Sequence, residues 1–247
     1  MKNIKVLMCG SKLSVGGGMV TVIENYLNCE DWGNIKITYV PTHVDSKTII
    51  KYIYYIYAYI KIWILTSFSK FDIAHLHTTE NGSFYRKAYL MHMLQKKHIK
   101  VIMHHHIDYE ELYSTQKDRQ KEFIRKTFSK ADLNITLGKN LSDFILEKQP
   151  NAKVRILYNA VKGYDHNRYN PNAKHVMFLG WLIERKGISD FLNLIKEVDP
   201  IVDKEFKVYL CGDGDTRVKD RIRELGIQHR IDHIGWVPKD QLETYFS

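Results

Sequence analysis

Short apolar runs of strand length alternate along the chain with segments whose apolar residues recur at helical spacing. The runs are Ile4–Cys9, Ile35–Val40, Asp72–His77, Val101–His105, Leu133–Leu137, Val154–Tyr158, Val176–Gly180, Phe206–Cys211 and Ile231–Gly235. Between them Met19, Val22, Ile23, Tyr26 and Leu27 fall on one helical face, and Ile188, Phe191, Leu192, Ile195 and Val198 on another. Continuous apolar strands interleaved with amphipathic helices predict an α/β fold, with parallel sheets covered on both faces.

The stretch 159–174 is polar, rich in Asn, and carries Gly163 and Pro171. The strand-and-helix rhythm restarts after it. Two Rossmann-like domains are therefore expected, 1–166 and 167–247. The first has about six strands and is complete. The second reaches three strands by Ser247, where a doubly wound sheet usually has five or six. The expectation is a chain truncated within its second domain. The segment Ile49–Leu65 is strongly apolar and aromatic, but Lys51 and Lys61 interrupt it. It falls short of the roughly 20 apolar residues that a spanning helix needs. The favoured reading is a helix packed on the sheet; the other is a helix lying at a lipid headgroup interface.

Over 247 residues, 44% hydrophobic and 26% charged, with 14 Gly and 5 Pro, the composition excludes disorder, collagen and coiled coil. Cys9, Cys29 and Cys211 are too few and too scattered for a disulfide framework or a zinc ribbon. They suit a reducing compartment, and Ile4–Cys9 is too short for a secretory h-region and is expected to be a buried first strand. A formal charge of +9 favours an anionic partner.

Six motifs carry candidate chemistry. Gly16–Gly18 joins the first strand to a helix, where backbone N–H groups and the helix N-terminus attract anions. Asp72, His75 and His77 are expected at the C-terminal end of a strand, where ligands of parallel sheets bind, with Arg86 and Lys87 as phosphate candidates. His104, His105 and His106 end another strand, with His104 and His106 on one face and His105 opposite. Arg185 and Lys186 precede a helix and suit a diphosphate. Gly212 and Gly214 follow a strand in a second close-approach loop. Gly235 ends the last strand before Val237 and Pro238.

In order and spacing these motifs resemble the family-4 retaining glycosyltransferases of the GT-B fold. The resemblance spans the glycine loop, Asp72-x-x-His75-x-His77, the second His strand, Ala131–Leu137, Ile156–Val161, the Gly180-to-Gly187 start of the second domain, the Gly212-x-Gly214 loop and the closing Gly235-x-Val237. The "GSFYRK" stretch beside the paired histidines is similar to the branch that builds bacterial surface polysaccharides.

The resemblance implies an N-terminal acceptor-side domain and a C-terminal nucleotide-sugar domain. It implies His106 near the donor sugar, with His104 second, and Gly17 and Gly18 facing donor phosphates and acceptor. Arg185 and Lys186 would neutralise the leaving diphosphate, Gly212 and Gly214 would lie beside the nucleotide, and the Val237 backbone would contact the base. The donor is a nucleotide-diphosphate sugar, with no metal or other cofactor. The acceptor is a saccharide or a lipid-linked sugar, at the cytoplasmic face of the membrane. An anionic membrane surface is a further partner; nucleic acid is not. Trp181 stands where the family often has Arg, and the family's E-x7-E motif would lie past Ser247, so this chain is expected to bind donor poorly. Two rivals stand beside this reading. One is a non-catalytic domain that docks on membrane or a partner. The other is a metal hydrolase built on His104-x-His106-x-Asp108.

Overall fold

The computed structural model describes residues 3–79, 82–107, 109–160, 170–214, 216–238, 241 and 244. The chain divides into two compact units, Met1–Lys162 and Gly163–Ser247. The boundary expected between 166 and 167 lies outside the described residues.

In the first unit the order is β1 (Ile4–Ser11), α1 (Gly18–Leu27), β2 (Ile35–His43), α2 (Thr48–Phe68), β3 (Ile73–Thr78), α3 (Gly82–Gln95), β4 (Lys100–His105), α4 (Tyr109–Ser114), α5 (Asp118–Lys130), β5 (Leu133–Thr136), α6 (Lys139–Lys148) and β6 (Val154–Ile156). The six strands form one parallel sheet in the order β2-β1-β3-β4-β5-β6. Every residue of β1 from Val6 to Ser11 is buried, as a strand covered on both faces requires. Two aspartates fix the register. Asp72 accepts the Lys5 N–H at 2.9 Å, and Asp132 accepts the Val101 N–H at 2.8 Å. Asp72 thus sits at the N-terminal start of β3, opposite the edge expected for it. Its work is to align β3 with β1.

Lys87 also differs from expectation. It is 2% exposed, and its ammonium donates to the Thr42 hydroxyl at 2.5 Å. Burial pushes it down to about 8. It is a core residue rather than a surface phosphate ligand. Arg86 lies beside it, half-buried over the Tyr55 ring.

Helix α2 packs on β2 and α3, as the favoured reading has it, but through a narrow strip. Ala58 and Ile62 are its fully buried residues, so the helix touches the body along one narrow line. Ile49, Ile53, Ile56, Ile60, Trp63 and Phe68 run down its outer side, with Phe68 86% exposed. Sequence periodicity could not reveal this, because a helix apolar all round has no polar side to mark the solvent. A clamp holds its C-terminal end: the Lys97 ammonium donates to the Trp63 carbonyl at 2.7 Å and to the Ser67 hydroxyl at 2.6 Å. A cation there also complements the helix dipole.

The second unit runs β7 (His175–Leu179), a 3-10 turn (Glu184–Lys186), α7 (Ile188–Val198), β8 (Lys207–Cys211), α8 (Arg217–Leu225) and β9 (Ile231–Gly235). Its strands are parallel in the order β7-β8-β9. Ile188, Leu192, Val208, Leu210 and Ile222 form its core. Arg230, 5% exposed, ties the end of α7 to the entry of β8. Its guanidinium bonds Asp199 at 2.6 Å and the Asp203 carbonyl at 2.7 Å.

Beyond the strands of this unit the loops lie against one another. Gly180 N–H donates to Cys211 O at 3.0 Å, Leu182 N–H to Asp213 O at 2.8 Å, and Gly212 N–H to Gly235 O at 2.7 Å. A Cβ on Gly212 would stand 1.8 Å from Gly180 O, and one on Gly214 2.3 Å from Leu182 O. Both clashes are with backbone atoms rather than with the far end of a flexible side chain. Gly212→Ala is therefore expected to destabilise the second unit by at least ~1–3 kcal/mol, the usual cost of overpacking. Gly16→Ala, with open space around its Cβ, should be near neutral. Urea unfolding checks both, followed through Trp181 and Trp236 fluorescence for the second unit and through Trp32 for the first.

Candidate functional site

In the first sheet β2 lies on one side of β1 and β3 on the other, so the chain reverses its direction of winding between β1 and β3. Open α/β sheets bind ligands at such a switch point, outside the C-terminal ends of the strands. Ser11 and the glycine loop follow β1 there, and Thr78 ends β3. Gly17 has φ +120, a conformation that excludes other residues, and caps α1 with no side-chain bond. Gly17 and Gly18 are exposed, with no atom within 4 Å of a Cβ built on them. The first N–H groups of α1 are thus open to an approaching anion.

The histidines of β3 and β4 meet beneath this edge. Parallel pairing sets His77 opposite His104, and alternation turns His75, His77, His104 and His106 to one face. His75 Nε2 lies 3.1 Å from His104 Nδ1, and His77 Nδ1 lies 3.0 Å from His106 Nε2. The rings pack on each other, with the 104 and 106 centroids 4.4 Å apart. Tyr26 of α1 packs edge-on against His75, His77 and His104. The His106 N–H donates to Thr78 O at 2.8 Å, which carries the strand pairing one residue past β4.

His104 is 1% exposed and His77 is fully covered, whereas His106 is half-buried. Of the two histidines singled out from the sequence, His106 is therefore the one a ligand can reach from the edge. His105 points to the opposite face as expected. The Tyr109 hydroxyl lies 2.6 Å from its Nδ1, and its Nε2 lies 2.9 Å from Asn134 Oδ1. Because the Asn134 amide nitrogen donates to Phe128 O, Oδ1 is the acceptor. His105 is thereby a neutral Nε2–H tautomer that accepts from Tyr109.

Burial lowers the pKa of all five imidazoles. His75, His105 and His106 fall to about 4, and mutual repulsion among the rings adds to the effect at His77, His104 and His106. No carboxylate is among the causes. The cluster is neutral at pH 7, and His106 acts there as a hydrogen-bonding group rather than a cation. Asp108, third in the hydrolase-type spacing, lies outside the described residues.

In the second unit the loops after β7, β8 and β9 converge, bringing Gly180, Gly212, Gly214 and Gly235 together. The two inner glycines serve close contact between loops, a role their spacing alone did not reveal. Arg185 and Lys186 are exposed on the 3-10 turn. Arg185 opens on a cleft of about 720 Å³ shared with Ser189, Arg217 and Arg221. Arg217, in the first turn of α8, was not singled out from the sequence; its place two residues past the glycine loop was the available signal. Val237 is buried, and Trp236 and Trp181 are exposed beside their glycines.

Residues 165–247 match the family model described as glycosyl transferases group 1. An uncharacterized 41.2 kDa protein in the cps region of Klebsiella pneumoniae is 25% identical over 197 residues, covering 72% of this chain and 52% of that protein. An uncharacterized glycosyltransferase of Methanocaldococcus jannaschii is 24% identical over 133 residues, 46% of this chain and 33% of the relative. The chain thus spans about half the length of the first relative and a third of the second. Among solved structures, a lipopolysaccharide outer core galactosyltransferase aligns over 98% of this chain and 71% of its own, with TM-score 0.64 and 16% identity. A glycosyltransferase from Rickettsia africae aligns over 100% and 71%, with TM-score 0.61 and 15% identity. The fold is that of the GT-B glycosyltransferases.

The depressed imidazoles make the first unit acid-sensitive. Unfolded histidines take up protons near pH 6.5, whereas His75 and His106 resist until about pH 4. The unfolded chain binds more protons in between, so stability is full above about 6.5 and falls as pH drops toward 4. A melting temperature lower by several degrees at pH 5 than at pH 7.5, reported by Trp32 fluorescence, is the expected result. A constant value across that range would contradict the neutral cluster.

Proposed function

We propose that the chain is part of a glycosyltransferase. It moves a hexose from a nucleotide-diphosphate sugar, with retention, to a saccharide or lipid-linked acceptor in surface-polysaccharide synthesis. The carrying observation is the match of residues 165–247 to group 1 glycosyl transferases, on the unit that holds the glycine loops and a cleft lined by Arg185 and Arg217. The surface-polysaccharide part draws on "GSFYRK" beside the paired histidines and on the relative from a cps region.

In this reading the bond from the sugar C1 to the diphosphate oxygen breaks, and an acceptor hydroxyl oxygen takes its place. The acceptor proton leaves with the diphosphate. Charge grows on that leaving group, and Arg185 and Lys186 stabilise it electrostatically, without a metal. Gly212 and Gly214 hold the loop beside the nucleotide, and the Val237 backbone meets the base. Gly17 and Gly18 present the α1 N-terminus to phosphate or acceptor. Neutral His106 hydrogen-bonds a donor hydroxyl, with His104 behind it in the stack.

The exposed side of α2 is the membrane-facing part of this reading. No described helix is long and apolar enough to cross a bilayer. The helix carries no Asp or Glu, tyrosines and Trp63 line it, and exposed Lys47, Lys61 and Lys70 lie on and around it. Aromatic and aliphatic residues rimmed by cations suit an anionic lipid surface.

In the full-length transferase of this reading, His106→Ala is expected to lower transfer about 100-fold, the scale for a positioned polar group at a reacting centre. Arg185→Ala with Lys186→Ala should weaken nucleotide-diphosphate sugar binding more than tenfold, read by calorimetry across a panel of donors. Wild-type transfer by the His106 variant would remove that residue from the site. A full-length protein that binds no donor in the panel would count against the whole reading. Sedimentation with phosphatidylglycerol vesicles tests α2: binding should fall with added salt and be lost in an Ile53→Asp, Ile56→Asp variant. Dimerisation through α2 without vesicle binding would assign that face to a second copy instead.

A further inference from the structure

The histidine cluster holds more than a hydrogen-bonding role for His106 needs. His77 Nε2 and His104 Nε2 are both buried and have no hydrogen-bond partner among the described residues. A buried polar atom left without a partner costs about 1–3 kcal/mol, so two in one cluster call for an explanation. Both are the far nitrogens of rings whose Nδ1 is already engaged, His77 with His106 and His104 with His75. If each Nδ1 carries the proton and donates, each Nε2 carries a lone pair. That is the arrangement in which a neighbouring acceptor fixes the tautomer of a metal-binding histidine. One ring nitrogen from each of His75, His77 and His104 lies within 4.8 Å of the others.

We propose that His75, His77 and His104 form a buried site for a borderline divalent transition-metal ion, zinc(II) above all, with a structural role. The site is distinct from the hydrolase-type spacing of His104, His106 and Asp108, because two of its three ligands come from or adjoin β3 rather than β4. It does not depend on the glycosyltransferase reading.

The chemistry selects the ion. Imidazole nitrogens without oxygen ligands favour zinc, copper, nickel or cobalt over magnesium, calcium or manganese. Zinc–nitrogen bonds of about 2.0–2.1 Å in a tetrahedron place ligand nitrogens roughly 3.4 Å apart. The present spread closes to that by turning side chains. The ligands are already neutral, so little protonation opposes binding at pH 7. The ion would join β3 to β4 through their side chains and occupy both unpartnered nitrogens. His106 would then position His77 through its hydrogen bond.

The test uses the untagged chain, stripped with chelator and dialysed against zinc(II), with cobalt(II) as the spectroscopic probe. Expected results are one zinc per chain by elemental analysis and a visible cobalt band of tetrahedral intensity. Zinc should also raise the melting temperature, and copper(II) should quench Trp32, which stacks on Tyr26. His77→Gln with His104→Gln should weaken zinc binding at least tenfold, while Cys29→Ser leaves it unchanged. Absence of stoichiometric zinc in the folded wild-type chain overturns the proposal, whatever the variants do. So does zinc binding that survives the double replacement, which would place the ion elsewhere among the 12 histidines.

Discussion

The parallel hydrogen-bond ladder is the constraint from which the chemistry of this chain follows. Parallel strands must all end at the same edge, so a residue's distance from its strand end decides whether it can meet a ligand. The β3–β4 register then does the rest. It sets His77 against His104 and Thr78 against His105, and a one-residue slip would send the histidines to opposite faces. Asp72 and Asp132 hold the two flanking registers, β3 against β1 and β5 against β4.

The strand-and-helix alternation was legible because parallel strands are apolar on both faces and stand out as runs. The ends were less so. Leu157 and Tyr158 continue the apolar run of β6 but lie outside the strand, although Leu157 N–H still bonds Thr136 O at 2.8 Å. The alternation of His104, His105 and His106 could be read directly, since strand geometry dictates it. That His75 and His77 stack on His104 and His106 could not, because the pairing of β3 with β4 is a tertiary fact. Lys87 shows the limit most clearly: a lysine beside an arginine at a helix start reads as surface charge, yet its stem enters the core.

The second unit makes the same point through glycine. Gly212 and Gly214 look like a bed for a phosphate, and their missing Cβ atoms are filled by neighbouring backbone. A glycine loop can serve the protein's own packing and a ligand on its other side. Arg230 carries no recognisable motif, yet it draws one side chain and several carbonyls into a single clamp. Such knots are invisible in sequence because their acceptors are backbone.

Lys87 carries a consequence for the whole first unit. Its ammonium is held by a hydroxyl, with the Cys9 thiol, pushed up to about 12, as a neutral neighbour. Folding therefore disfavours its charge, and below pH 8 that penalty is constant. Between about 8 and the ordinary lysine value of 10.5 the unfolded chain keeps a proton that the folded one sheds. This one side chain thus strengthens the fold as the medium turns alkaline, the same sign of pH dependence as the loss on acidification that the histidines impose. Together they tilt the first unit toward mildly basic surroundings.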